Sequence, residues 1–237
     1  DLAGVNWEPV NWDANFERKI HFDGCNYTIS NLHSDETTYG GGVGKYPSLF
    51  GVLYGSCQNL KVVDAVIDGT SQAIGIIGGY IGTTGKTASL KNVSVTGEVN
   101  GTNHRAGGYA GQVVEATFED CDADVTVKGK QAVGGFAGKV TGTCSFKGCD
   151  VKASVTTIYT EKHQTGGFIG YLDGSTITVE SCNLLEGSTV TDGSSVTETV
   201  VSSIGGFFGW AGASDKVDVK NTSASVAVNA PYARNVG

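Results

Sequence analysis

Four carboxylates crowd into six positions: Glu119, Asp120, Asp122 and Asp124. On a strand, the i, i+2, i+4 spacing of the three aspartates puts them on one face. Such a group could hold calcium, or serve a polysaccharide lyase or a glycosidase, which needs two carboxylates across a cleft. Calcium wants six to eight oxygens. Equivalent positions in neighbouring units are Gly148, Asp150 and Lys152, or Asn92, Ser94 and Thr96, so only Asp150 extends the cluster. We read Asp120, Asp122 and Asp124 as a solvated strand face, with a weak calcium site as the alternative. No other metal or cofactor is expected. His21, His33, His104 and His163 form no H-E-x-x-H pattern, and His104 and His163 read as loop residues. The six cysteines include no paired C-x-x-C spacing and read as buried thiols. The sequons at Asn26, Asn92 and Asn221 carry little meaning if the source is bacterial.

A second chemistry is recognition by exposed rings. The residues following a recurrent glycine are Val52, Thr83, Gln112, Lys139, Tyr171 and Trp210. If Lys139 faces solvent, so do Tyr171 and Trp210. Two rings one strand apart would make a platform for a sugar ring or a partner protein. The alternative is that the insertion at 186–203 folds over them.

Both sites depend on a repeat. The segment VGGFAGKV at 133–140 has near-copies IGGYIG, AGGYAG, TGGFIG and IGGFFG, and a weaker first copy, PSLFG. Their final glycines, at 51, 82, 111, 138, 170 and 209, are 31, 29, 27, 32 and 39 residues apart. A period near thirty marks stacked units. Each motif is followed by a short polar turn and then an alternating stretch. In one register the apolar or small residues are Cys121, Ala123, Val125 and Val127; elsewhere they are Val93, Val95 and Val99, or Leu60, Val62 and Val66. Period two means strand. One column returns once per unit: Leu60, Val93, Cys121, Cys149, Cys182, Thr222. The column before it, Asn59, Asn92, Asp120, Gly148, Ser181 and Asn221, suits a corner. In the motif, Phe136, Gly138 and Val140 are expected inside, with an aromatic column of Leu49, Tyr80, Tyr109, Phe136, Phe168 and Phe207, and with Ile81, Ile169 and Phe208 outside. Glycine would leave room for the rings.

The fold expected is all-β: a right-handed parallel β-helix of about six coils, stacked at about 4.8 Å, with an N-terminal cap. Residues 1–32 form the cap and a first partial coil, including Trp7, Trp12 and a turn at Asp23-Gly24. Residues 33–237 carry the repeats, opening with a glycine-rich loop at 33–47. Asn235-Val236-Gly237 matches Ala132-Val133-Gly134, so the chain is expected to stop within a coil and to be followed by further repeats or domains.

The net charge of −8, with arginine only at 18, 105 and 234, argues against a nucleic-acid surface. No apolar run reaches transmembrane length.

The repeated G-G-[YF]-x-G, together with FDGCNYTISNL at 22–32, resembles the GLUG-motif family of bacterial surface proteins over roughly residues 16 to 237. Cys25 and the cysteine column depart from its pattern. The resemblance implies a β-helical region of large cell-surface or secreted proteins of gut and oral bacteria. Those include proteins described as adhesins and the non-catalytic regions of IgA-specific metalloendopeptidases. It supplies no catalytic residues. The function expected is a non-enzymatic extracellular module of a surface adhesin, offering a surface to host glycan or protein. The alternatives are a polysaccharide-degrading β-helix enzyme and a stalk domain of a larger secreted protease.

Overall fold

The computed structural model describes residues 1–11, 18–36, 45–158, 163–193, 202–231, 233 and 235–237. Trp12, residues 37–44 of the expected loop and residues 194–201 of the insertion lie outside that set. Among the described residues there is no helix, and the strands stack in parallel as a β-solenoid of about six coils.

One coil shows the plan. Ala132–Gly134 is a short strand in a six-stranded parallel sheet. The motif then turns the chain into Ala137–Lys147, part of a second, larger sheet. The coil closes through Val151–Thr157. Within the long strands, or in the short break between two of them, a corner is set by one residue in the left-handed region. Asn59, Asn92, Asp120, Gly148, Ser181 and Asn221 have φ of 52°, 53°, 53°, 62°, 55° and 49°. This is the predicted corner column, and Asn, Asp and Gly are the residues that visit this conformation at least cost. At this corner of the first coil the two left-handed residues are Cys25 and Asn26, not the expected Asp23-Gly24. Asp23 instead accepts the Cys25 N–H at 2.8 Å, while a Cβ on Gly24 would lie 2.5 Å from the Asn59 carbonyl.

Beyond the corner, the alternating residues face the core as expected. Leu60, Val93 and Cys121 are ladder partners, and Cys149 and Cys182 continue the column, fully buried. Val66 departs from expectation. Asp64 takes a left-handed conformation and the ladder slips between Val62 and Ala65. This bulge reverses parity, so Ala65 and Ile67 are buried and Val66 is 37% exposed.

The core holds two ring stacks at right angles. Tyr109, Phe136, Phe168 and Phe207 stack with centroids 4.5, 5.2 and 4.7 Å apart. Phe118 and Phe146 stack at 5.0 Å and meet the first series edge-on, at 86–90° for Tyr109–Phe118, Phe118–Phe136 and Phe136–Phe146. Offset and edge-to-face contacts of this kind suit the ring quadrupoles.

The expected column fails at its first two members. The backbone of Phe50 bonds to Ile77, and that of Ile77 to Tyr109, so Phe50 and Ile77, not Leu49 and Tyr80, continue the stack. Tyr80 instead pairs with Val52 and Gln112. It therefore takes the outward place assigned to Thr83, and Gly79 rather than Gly82 ends that motif. In this unit the spelling GGY sits three residues late, so Tyr80 does not hold the place that Tyr109 holds in the next coil.

The glycines also work differently from expectation. A Cβ on Gly170 would lie 2.6 Å from the backbone N of Val133, and one on Gly209 would lie 2.6 Å from that of Thr165. The last glycine of each motif thus presses its backbone onto the short strand of the preceding coil. The middle glycines also lie against backbone, a Cβ on Gly135 or Gly167 falling 2.1 or 2.3 Å from the Gly167 or Gly206 carbonyl, but they leave space in the core as well, where those Cβ atoms would meet Ala153 Cβ at 2.6 Å and Leu184 Cδ2 at 2.5 Å. Ile81, expected outside, is buried because it shifts with Tyr80 into the inward place beside Leu53 and Val113; Ile169, also expected outside, is buried where the two backbones meet, and Phe208 is half-buried.

Residues 1–11 lie against the first coil. Trp7 Nε1 donates to the Leu49 carbonyl at 3.0 Å, and Asn6 and Val10 bridge to His33 and Phe50. His33–Asp35, within the expected loop, is a short strand paired with Val66, Ile67 and Asp68.

Candidate functional site

The outward column of the motif strands is a ladder of Tyr80, Gln112, Lys139, Tyr171 and Trp210 on successive coils. The close glycine packing brings it beside the outward column of the short strands: Arg105, Ala132, Gln164 and Ser203. The two columns border a polar cleft of about 200 Å³ lined by His104, Arg105, Gln131, Lys139, Gln164 and Tyr171.

At the upper end, the Tyr171 and Trp210 rings lie 5.4 Å apart at 54°. Trp210 is 40% exposed. Of the insertion expected to cover these rings, residues 186–192 belong to strand Asn183–Asp192. Lys139 Nζ sits 5.2 Å from the centre of the Tyr171 ring and donates to Asp173 Oδ2 at 2.6 Å. Its side chain is 15% exposed. The Lys139 ammonium holds the Asp173 carboxyl below the ordinary aspartate range, with Tyr171 and Arg105 contributing in the same direction. Partial burial and the Asp173 charge push the Tyr171 phenol up. At the lower end, Arg105 Nη1 donates to Tyr80 Oη at 2.8 Å; among the described residues this is the guanidinium's one hydrogen bond. His104 Nδ1 bonds to Gln131 Oε1.

Sequence reading identified Tyr171 and Trp210 but not Arg105, Asp173, Gln131 or Gln164. A signal for them existed. Arg105, Ala132, Gln164 and Ser203 stand at one fixed offset before the motif, so their column could be tabulated like the others.

The acidic face lies elsewhere, on the strand after the corner. Lys91 pairs with Glu119 at 2.8 Å and Lys152 with Asp124 at 3.7 Å. Asp122 Oδ1 accepts the Asp150 N–H at 2.9 Å, and Asp150 Oδ1 accepts from Asn183. Asp120 is a corner residue. Desolvation against the next coil, with Asp150 and Asp120 nearby, pushes Asp122 up. Among the described residues, no three His, Cys, Asp or Glu side chains converge as a metal site.

His104 and His163 lie two coils apart, as expected. His163 is buried beside Asp192, with Nε2 3.8 Å from Oδ1. All six cysteines are free thiols; Cys25 is exposed and the other five are buried. No helix of the described residues is long and apolar enough to cross a membrane.

No protein-family model and no curated protein matches the chain. Among solved structures, the chain is similar to that of a putative immunoglobulin A1 protease from Bacteroides ovatus. The identity is 26% and the TM-score 0.73, over 96% of this chain and 68% of that one. That likeness carries the β-helical architecture across nearly the whole chain.

Proposed function

We propose that this chain is a non-enzymatic β-helical module of an extracellular or cell-surface bacterial protein, of the GLUG-motif kind, that binds host glycan or protein as adhesins do. The observation that carries the reading is the Tyr171–Trp210 pair: two rings on adjacent coils, Trp210 40% exposed and Tyr171 also lining the polar cleft. Aromatic rings bury large areas at small entropic cost, which is why they recur as binding anchors. Rings wholly in the service of the fold would be expected inside, where Phe136 and Phe168 are.

The test is Trp210→Ala and Tyr171→Ala, with thermal stability checked, against a glycan array and host cells. Loss of at least about 1 kcal/mol of binding is expected for a platform residue. Loss of stability with unchanged binding would show the rings to be structural and sink the reading.

A second reading is a stalk domain of a larger secreted protease, favoured by the name of the Bacteroides ovatus protein. Incubating the chain with IgA1 and following the heavy chain separates the cases. Intact IgA1 fits a binding module or a stalk, and cleavage would overturn both. Turnover of a polysaccharide, abolished by Asp122→Asn or Asp124→Asn, would overturn the non-enzymatic reading.

A further inference from the structure

The cleft beside the aromatic pair carries positive charge in a chain whose net charge is −8. Arg105 and Lys139 both line it. Asp173 is the carboxylate paired with Lys139. Asp215, the next acid along, is already engaged by the N–H groups of Ser175 and Gly212 at 2.6 and 2.5 Å. The lining itself thus holds two cations and no carboxylate, with Asp173 and Asp215 balancing them from outside it.

Donor capacity is also left over. A guanidinium has five N–H donors in a planar fork, and Arg105 gives one to Tyr80. An ammonium has three, and Lys139 gives one to Asp173. The fork geometry of arginine matches a carboxylate. Gln131 and Gln164 add amides of the kind that bond hydroxyls, and Tyr171 is common to the cleft and the ring pair.

We propose that the cleft binds a carboxylate-bearing sugar, a uronic or sialic acid unit, with the carboxylate on Arg105 and Lys139 and a sugar ring on Tyr171 and Trp210. This rests on the platform reading above and names the ligand class for it. A carboxylate on a peptide would satisfy the two cations equally well. It would leave unused the two neighbouring rings, Tyr171 and Trp210.

The experiment is calorimetric titration of the whole chain with sialyllactose and a galacturonate tetramer, against lactose and a neutral galactose tetramer, and against a short glutamate-rich peptide. At least one acidic sugar should bind about ten-fold or more tightly than its neutral counterpart, the range of a hydrogen-bonded charge. Arg105→Gln and Lys139→Gln should each remove that preference, and added salt should shrink it. Tyr80→Phe should preserve it, because the phenol is removed and the guanidinium is kept. That variant also guards against reading a folding defect as a binding loss.

Equal binding of neutral and acidic sugars, unchanged by Arg105→Gln but lost with Trp210→Ala, would overturn the carboxylate assignment and leave the platform intact. Peptide binding as tight as sugar binding, with Trp210→Ala silent, would overturn both. No acidic sugar binding at millimolar concentration would overturn the ligand class.

Discussion

At the residue scale, the cysteine column has a shared local task. Cys121, Cys149 and Cys182 each direct the thiol to the carbonyl two residues earlier, at 3.4 Å, across the left-handed corner. Thr222 does the same with its hydroxyl at 3.0 Å. The thiols are therefore small apolar residues with a weak donor that caps the corner. Reactivity follows from thiolate, and burial opposes thiolate. Burial pushes Cys57 up to about 12 and Cys144 to about 11, while hydrogen bonds to Cys121 and Cys182, together with burial, hold Cys149 up. Native protein should thus take one maleimide, at exposed Cys25, and unfolded protein six, counted by intact mass. Rapid native labelling of Cys121 or Cys149 would refute the inward register. Asp122 supplies a pH test. Its folded pKa is raised above the ordinary 3.8, so its ionised form costs the fold something above the folded pKa and nothing below 3.8. Asp122→Asn should raise the melting temperature by about a degree at pH 7, the size that surface changes reach, and should have no effect at pH 3.

At the scale of elements, the motif glycines act through backbone contact more than through backbone freedom. Gly170→Ala would set a methyl 2.6 Å from both N and O of Val133, with ladder backbone on each side unable to yield. Gly174 has a φ of +65° and open space around its Cβ position, so alanine there meets only conformational strain, about 1–2 kcal/mol. Gly170→Ala should cost several kcal/mol, beyond the ordinary range for point changes, and urea denaturation of the two variants side by side checks the order. Equal costs would mean that the glycines serve the turn alone. The strands and the corner were legible in the sequence because alternation and the Asn/Asp/Gly/Ser column are local signals. Val66 was not, because the bulge at Asp64 depends on how one coil registers with the next. The Phe118–Phe146 stack went unread because those residues precede the corner, outside the register anchored on Cys149. The cleft was half legible. The rings follow the glycines directly, whereas Arg105 joins them only because two glycine-lined backbones meet.

For the whole molecule, a solenoid's stability is a sum over coils and their interfaces. The central coils carry the crossed ring stacks and the buried thiols. The last coil does not share that protection: Val217 and Val219 are exposed, and every residue of Lys216–Lys220 is exposed. Hydrogen exchange should therefore be fastest in Lys216–Lys220 and Ser223–Asn229 and slowest in Ala116–Gly129 and Val151–Thr157, read by mass spectrometry of peptides. Uniform protection from end to end would show the chain to unfold as one block. The backbone seating of Gly138, Gly170 and Gly209 on the coil before each also has a mechanical meaning. A load applied along the stacking axis falls on one coil boundary at a time, since each coil touches only its neighbours. Each boundary is a short-range catch of backbone on backbone, which holds without stretching and then lets go at once. Under tension such a chain should lengthen in steps, each step paying out one repeat of 27 to 39 residues, or roughly 100 Å of extended chain. A module built this way would yield coil by coil under load and keep its remaining coils intact.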